Sequence, residues 1–197
     1  RRINTYRYLS FNFGPTLLRW FDEHAPEVMR SLVQADRQSA ADNDGHGNAI
    51  AQGYHHVILP LANERDKHTE IRWGVADFEH RFGRRPEGLW LPEAAADVAS
   101  LEALAAAGLT YVILAPEQAA RVRPIGVEEW TEVNADTVDT TRPYSVLLPS
   151  GSRITAFFYD AAPSQGVAFG GWLHNGETMA AQLAAHDSGL RHLATDG

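Results

Sequence analysis

Gly88-Leu89-Trp90-Leu91-Pro92-Glu93 places a carboxylate at the end of an apolar run, where a buried strand opens into a loop. In an α/β protein the C-terminal ends of parallel strands gather on one side, and chemistry collects there. The residues before this stretch are amphipathic: Ile71, Val75, Phe78 and Phe82 are spaced four, three and four apart, which predicts a helix over 71–82 that Gly83 terminates. Pro86 disfavours helix in the residue before it, so 87–92 is predicted to be extended. Asp97 is placed to cap a second helix, running through Leu101 and Leu104 to Gly108, and Tyr111-Val112-Ile113-Leu114 is the next strand. Glu93 then lies at the C-terminal end of a strand in a β-α-β unit.

The chain has 197 residues, enough for one substantial core, so a single domain over 1–197 is expected. Its 17 basic and 25 acidic residues give a formal charge of −8, and no basic cluster exceeds Arg84-Arg85. That balance argues against nucleic acid or an anionic membrane as partner and fits a neutral ligand. Cysteine is absent, which excludes disulfides and thiolate chemistry; a reducing cytoplasm is compatible and is the expected compartment. No stretch approaches the ~20 apolar residues that span a bilayer, and 1–7 carries no apolar signal core. The chain starts without Met and stops at Ala194-Thr195-Asp196-Gly197, at what reads as the start of another strand-end loop, so a piece of a longer protein is expected.

Residues 16–36 read as helical, with Leu17, Leu18 and Phe21 on one side, then a restart at Pro26 carrying Val28, Leu32 and Ala35. The polar, glycine-containing 42–53 reads as a loop, 54–61 as a short apolar strand end, and 63–69 as an exposed charged segment. Beyond Leu114 the pattern is irregular as far as 142, with a short strand expected at 138–141. Residues 146–148 and 154–159 read as a hairpin joined by Pro149-Ser150-Gly151-Ser152, 177–183 as a helix and 190–194 as the start of a strand. Alternation of strand and helix predicts an α/β architecture.

Taken together these segments resemble glycoside hydrolase family 57, the α-amylase and α-glucan-branching relatives. Ser10-Phe11-Asn12-Phe13-Gly14-Pro15-Thr16-Leu17-Leu18 is similar to an N-terminal element of that family, and His56-Val57-Ile58-Leu59-Pro60-Leu61 resembles its H-x-x-x-P-L segment. Arg72-Trp73-Gly74-Val75 followed by Phe82 through Glu93 resembles the run that carries the family's nucleophile. W-x-P-E alone is a weak signal; the combined run is specific. Phe157-Phe158-Tyr159-Asp160 resembles a less characterised bacterial branch, and Asp160, Ser164, Val167 and Phe169 keep part of the pattern of better known members. Ala194-Thr195-Asp196-Gly197 resembles the start of the D-G-E-x-x-G segment whose Asp is the acid/base. The family's first strand, with its H-x-H or H-Q-P histidines, has no counterpart here, and neither has the Glu expected after Gly197.

The resemblance implies a (β/α)7-type barrel of the glycoside hydrolase and deacetylase superfamily, incomplete in this chain. It implies a retaining glycoside hydrolase or transglycosylase acting on an α-glucan oligo- or polysaccharide, with Glu93 as nucleophile and Asp196 as acid/base. Such chemistry needs two carboxyl groups about 5 to 5.5 Å apart and neither metal nor organic cofactor. Trp90 is a candidate sugar platform or a core residue; His56 is a candidate donor to a sugar hydroxyl or a structural histidine. Asp160, ending an apolar strand, is a candidate substrate-binding residue and the fallback acid/base. Trp172, with His174 and Asn175, is a candidate for bordering the cleft. Glu93 itself could be a helix N-terminal carboxylate favoured by the macrodipole. Two other functions stay open: a degenerate carbohydrate-binding or regulatory domain, and a metal-dependent polysaccharide deacetylase, whose Asp-Asp pair and H-x-x-x-H spacing this sequence lacks.

Overall fold

Proline and asparagine set the helix starts in a computed structural model of the chain, which describes residues 3–185 and 189–195. Pro15 opens α1 (Pro15–His24) and Pro26 opens α2 (Pro26–Asp42), each supplying a preset φ where the missing N–H is not needed. Asn63 caps α3 (Glu64–Phe82) by accepting from the Asp66 N–H, and Gly83, at φ 70, ends it. This helix begins seven residues before the expected 71. The segment 64–70 has too few apolar residues to show a period, and the cap with acidic residues in the first turn was its only signal. Asp97 caps α4 (Val98–Ala106) as expected, by accepting from the Ser100 N–H.

The chain divides into two units, Arg1–Val112 with Leu147–Ile154, and Ile113–Val146 with Thr155–Gly197. In the first unit, β1 (Ala51–Gln52) runs parallel to β2 (Leu89–Trp90), with Ala51 opposite Leu89 and Gln52 opposite Trp90. Parallel bridges extend the pattern on both sides, Phe11 with Ala49 and Gly88 with Tyr111, the first residue of β3 (Tyr111–Leu114). Successive strands are thus neighbours in sequence order, and α3 and α4 each connect one to the next, as in a β/α barrel. The α3 backbone comes so close to β1 that a Cβ on Gly74 would lie 2.0 Å from the Gln52 carbonyl oxygen. Phe11, Leu18, Met29, Leu32, Ala49, Ala51, Phe78 and Phe82 form one apolar cluster under α1, α2 and α3. Each of its large side chains contributes roughly 1.5–3 kcal/mol by leaving water.

β1 lies inside the expected loop 42–53, while 54–61, expected as a strand end, is a loop followed by a 3-10 turn at Leu59–Leu61. Its apolar character reflects burial of Leu59, which is 1% exposed, and Pro60 cannot supply a ladder N–H.

In the second unit, parts of β3, β6 (Tyr144–Leu147) and β7 (Arg153–Phe158) belong to a three-stranded sheet of order β3-β7-β6. The hairpin expected around 149–152 therefore forms. A two-stranded antiparallel ribbon, β4 (Arg121–Val122) with β5 (Thr131–Glu132), occupies part of the irregular stretch. The strand expected at 138–141 is instead a turn, because the Asp139 carboxylate accepts from the Thr141 N–H at 3.0 Å and from its hydroxyl at 2.5 Å. After β7 come α5 (Ala161–Ala168) and α6 (Gly176–Ala184). Residues 190–194 form no strand, yet Asp160 N–H donates to the His192 carbonyl and Leu190 N–H to that of Thr141.

Candidate active site

β2 delivers Glu93. Leu89 and Leu91 are 1% and 0% exposed and Trp90 between them is half-buried, the alternation of a strand with one face in the core. Gly88 starts this segment against the Tyr111 ring, where a Cβ would lie 2.3 Å from ring carbons, so any larger residue beside the bridge between the two strands has to push that ring aside. Pro92 then opens a 3-10 turn, Pro92–Ala94, closed by Ala94 N–H to the Leu91 carbonyl at 2.9 Å and Ala95 N–H to that of Pro92 at 3.0 Å. Within it Glu93 has φ 58 and Ala94 φ 50. Two consecutive non-glycine residues in the left-handed region cost about 1–2 kcal/mol each, and such strain concentrates at functional sites. The turn presents the Glu93 carboxylate to solvent, its side chain 66% exposed.

His56 meets it there, with Nε2 3.1 Å from Glu93 Oε1. The two residues are 37 apart in sequence and come together because β1 and β2 are parallel neighbours whose following loops emerge side by side. The His56 loop is fixed from α3: Glu70 accepts from the His55 N–H at 2.7 Å and pairs with His55 Nδ1 at 2.9 Å. On the other side, Lys67 of α3, only 4% exposed, sends its Nζ to within 3.3 and 3.4 Å of the two Asp97 oxygens. Asp97 also accepts from the Ser100 N–H and hydroxyl. Burial pushes its carboxyl up, but the Ser100 hydrogen bonds and the Lys67 ammonium outweigh this and hold it below the ordinary range.

Of the remaining predicted residues, Trp90 shares the first unit and ends β2, two residues before the strained turn. Asp160 belongs to the second unit, where it caps α5, accepting from the Ala162 N–H at 3.2 Å, with Arg191 3.9 Å away. Trp172 packs its half-buried ring on α5, at a spot where a Cβ on Gly166 would approach to 2.3 Å. Asp196 lies outside the described residues. Lys67, Glu70 and His55 were not anticipated: a charged residue in a polar helical segment reads as solvent-facing, and no spacing rule links 67 to 97 or 55 to 70. Among the described residues no three His, Asp or Glu side chains cluster closely enough to hold a metal ion.

The sequence pattern of glycosyl hydrolase family 57 matches residues 3–193. The chain belongs to glycosyl hydrolase family 57. Within the curated proteins, alpha-amylase 1 of Dictyoglomus thermophilum is 27% identical over 107 residues, covering 54% of this chain and 15% of that protein. Two solved structures are similar. A 4-alpha-glucanotransferase from Thermococcus litoralis has a TM-score of 0.66 and 18% identity, over 96% of this chain and 26% of that one. An exo-type maltose-forming amylase from a Pyrococcus species has a TM-score of 0.68 and 17% identity, over 97% of this chain and 31% of that one. This family 57 chain therefore spans about a quarter to a third of those structures and less of the amylase. At these identities the likeness establishes the fold, the α/β, (β/α)7-type architecture that the sequence led us to expect.

Proposed function

We propose that this family 57 protein is a retaining glycoside hydrolase or transglycosylase acting on α-linked glucans, with Glu93 as nucleophile and Asp196 as acid/base. The observation that supports it is the Glu93 carboxylate, solvent-accessible at the C-terminal end of a parallel strand, on a left-handed backbone, with one oxygen hydrogen-bonded to His56.

In the double displacement, a Glu93 carboxylate oxygen attacks the anomeric carbon while the glycosidic C–O bond breaks, and Asp196 protonates the leaving oxygen. The resulting glycosyl ester is opened by water or an acceptor hydroxyl, which attacks the same carbon as the Asp196 carboxylate takes its proton. His56 binds Glu93 Oε1 and leaves Oε2 for attack. Trp90 offers an indole face to the C–H face of a pyranose. Asp160 and Trp172 are assigned to substrate contact, Asp160 being the acid/base if Asp196 does not converge on Glu93.

The test is release of reducing ends, or glycosyl transfer, from maltooligosaccharides by the intact protein and its Glu93→Gln variant. Loss of the nucleophile is expected to lower kcat by roughly a thousandfold or more. Equal activity in the two proteins refutes the assignment. An inactive wild type that still binds maltooligosaccharide supports a carbohydrate-binding domain instead.

A further inference from the structure

One helix, α3, makes side-chain contacts next to both partners of the His56–Glu93 pair. Lys67 and Glu70 are three residues apart on α3 and so share a face. Lys67 reaches Asp97, four residues beyond Glu93, and Asp97 fixes where α4 begins and hence how the chain descends from the strained turn. Glu70, its side chain 12% exposed, fixes His55, the residue before His56, by both its backbone N–H and its ring. Neither Lys67 nor Glu70 is hydrogen-bonded to His56 or Glu93.

Such bracing answers a specific need. The His56–Glu93 pair is exposed at 61% and 66%, and a single polar contact in that much water does not fix geometry by itself. Glu93 and Ala94 both occupy a backbone region that relaxes unless its surroundings hold it. Burying an ammonium as deeply as Lys67 is unfavourable, and an apolar side chain of similar length would fill the space without that penalty. The charge is therefore there for what it holds.

We propose that Lys67 and Glu70 are positioning residues: Lys67, through Asp97, holds the turn that carries Glu93, and Glu70, through His55, holds the loop that carries His56. This rests on the reading of Glu93 as the nucleophile. A nucleophile displaced by about 1 Å loses on the order of a hundredfold in rate, so the brace acts on kcat more than on substrate affinity.

The experiment uses the intact protein with Lys67→Met, Lys67→Arg and Glu70→Gln, measuring amide hydrogen exchange, thermal midpoint and steady-state kinetics on maltooligosaccharides. Lys67→Met is expected to speed exchange at the Ala94 and Ala95 amides about tenfold while leaving those of His55 and Val57 unchanged, and Glu70→Gln the reverse. Each lowers kcat roughly ten- to a hundredfold with KM within about threefold. Lys67→Arg restores most of both. Where Lys67→Met does not fold, Asp97→Asn, which keeps an acceptor for Ser100 and loses the charge facing Lys67, replaces it. Unchanged exchange at both segments, a uniform rise across α3 and both loops, or unchanged kcat overturns the proposal. Glu93→Gln with wild-type activity overturns the nucleophile reading instead, and the exchange pattern, which needs no activity, still decides whether the two segments are held.

Discussion

Replacing Arg84 with methionine isolates the clasp that sets the register of the first unit. Asp36, on α2 and 1% exposed, accepts from the Ala49 N–H at 2.8 Å, from Arg84 Nε at 2.9 Å and from Arg84 Nη2 at 2.7 Å. Arg84 Nη2 also donates to the Ala49 carbonyl at 2.8 Å, and its guanidinium lies 5.0 Å from the centre of the Phe78 ring. One ion pair thus ties α2 and the loop before β2 to the residue that joins Phe11 in the sheet. Methionine keeps an apolar stem of similar length, so the loss is the charge with its place over Phe78 and four hydrogen bonds, the fourth being a long one from Nη1 to the Arg85 carbonyl at 3.4 Å. Removing one partner of a buried pair costs roughly 3–5 kcal/mol; the Arg84 side chain is 20% exposed, which favours the lower end, about 3 kcal/mol. At about 2–4 °C per kcal/mol for a domain of this size, the thermal transition falls by roughly 6–12 °C. Asp36→Asn keeps an acceptor for Ala49 and lets Arg84 turn to water, at about 1–2 kcal/mol. Circular dichroism or calorimetry of the intact protein, following this domain's transition, measures both. A shift below about 2 °C for Arg84→Met, or greater damage from Asp36→Asn, refutes the reasoning.

Gly88→Ala forces the Tyr111 ring aside and is expected to destabilise by about 1–3 kcal/mol; an unchanged midpoint in urea counts against the packing. Burial, then the Glu87 charge, pushes the Tyr111 phenol up to about 12, so stability present below about pH 10 is lost as pH rises towards 12; a tyrosinate titration with no late component contradicts this. Burial holds the His192 imidazole below its ordinary value despite backbone hydrogen bonds at Phe158 and Thr140. The unfolded chain therefore binds the proton first, and stability present above about pH 6.5 declines as pH falls below it. His192→Gln flattens that dependence, and a wild-type profile flat between pH 7.5 and 5 contradicts it.

Legibility in the sequence followed the kind of signal. Asp97 as a cap, Gly83 as a stop, β3 and the hairpin at 149–152 rest on local chemistry, and all four form. The start of α3 leaves no periodic mark in the sequence because Glu64 to Glu70 carries no apolar period, and β1 is indistinct within a polar stretch because two residues are too few to alternate. Glu93 was legible as a carboxylate at a strand end, but its left-handed backbone and its pairing with His56 depend on strand order. Lys67 was least legible of all: nothing local distinguishes a buried lysine from a solvated one when its partner is 30 residues away.

The φ of 58 at Glu93 sets two demands on one residue against each other. Glycine occupies that backbone region without strain, so Glu93→Gly is expected to gain up to about 1–2 kcal/mol of stability. It would also delete the carboxylate. A selection for thermal robustness alone, applied to this protein, would therefore drift towards losing the side chain proposed here for the reaction, and consensus-style stabilisation should leave position 93 untouched.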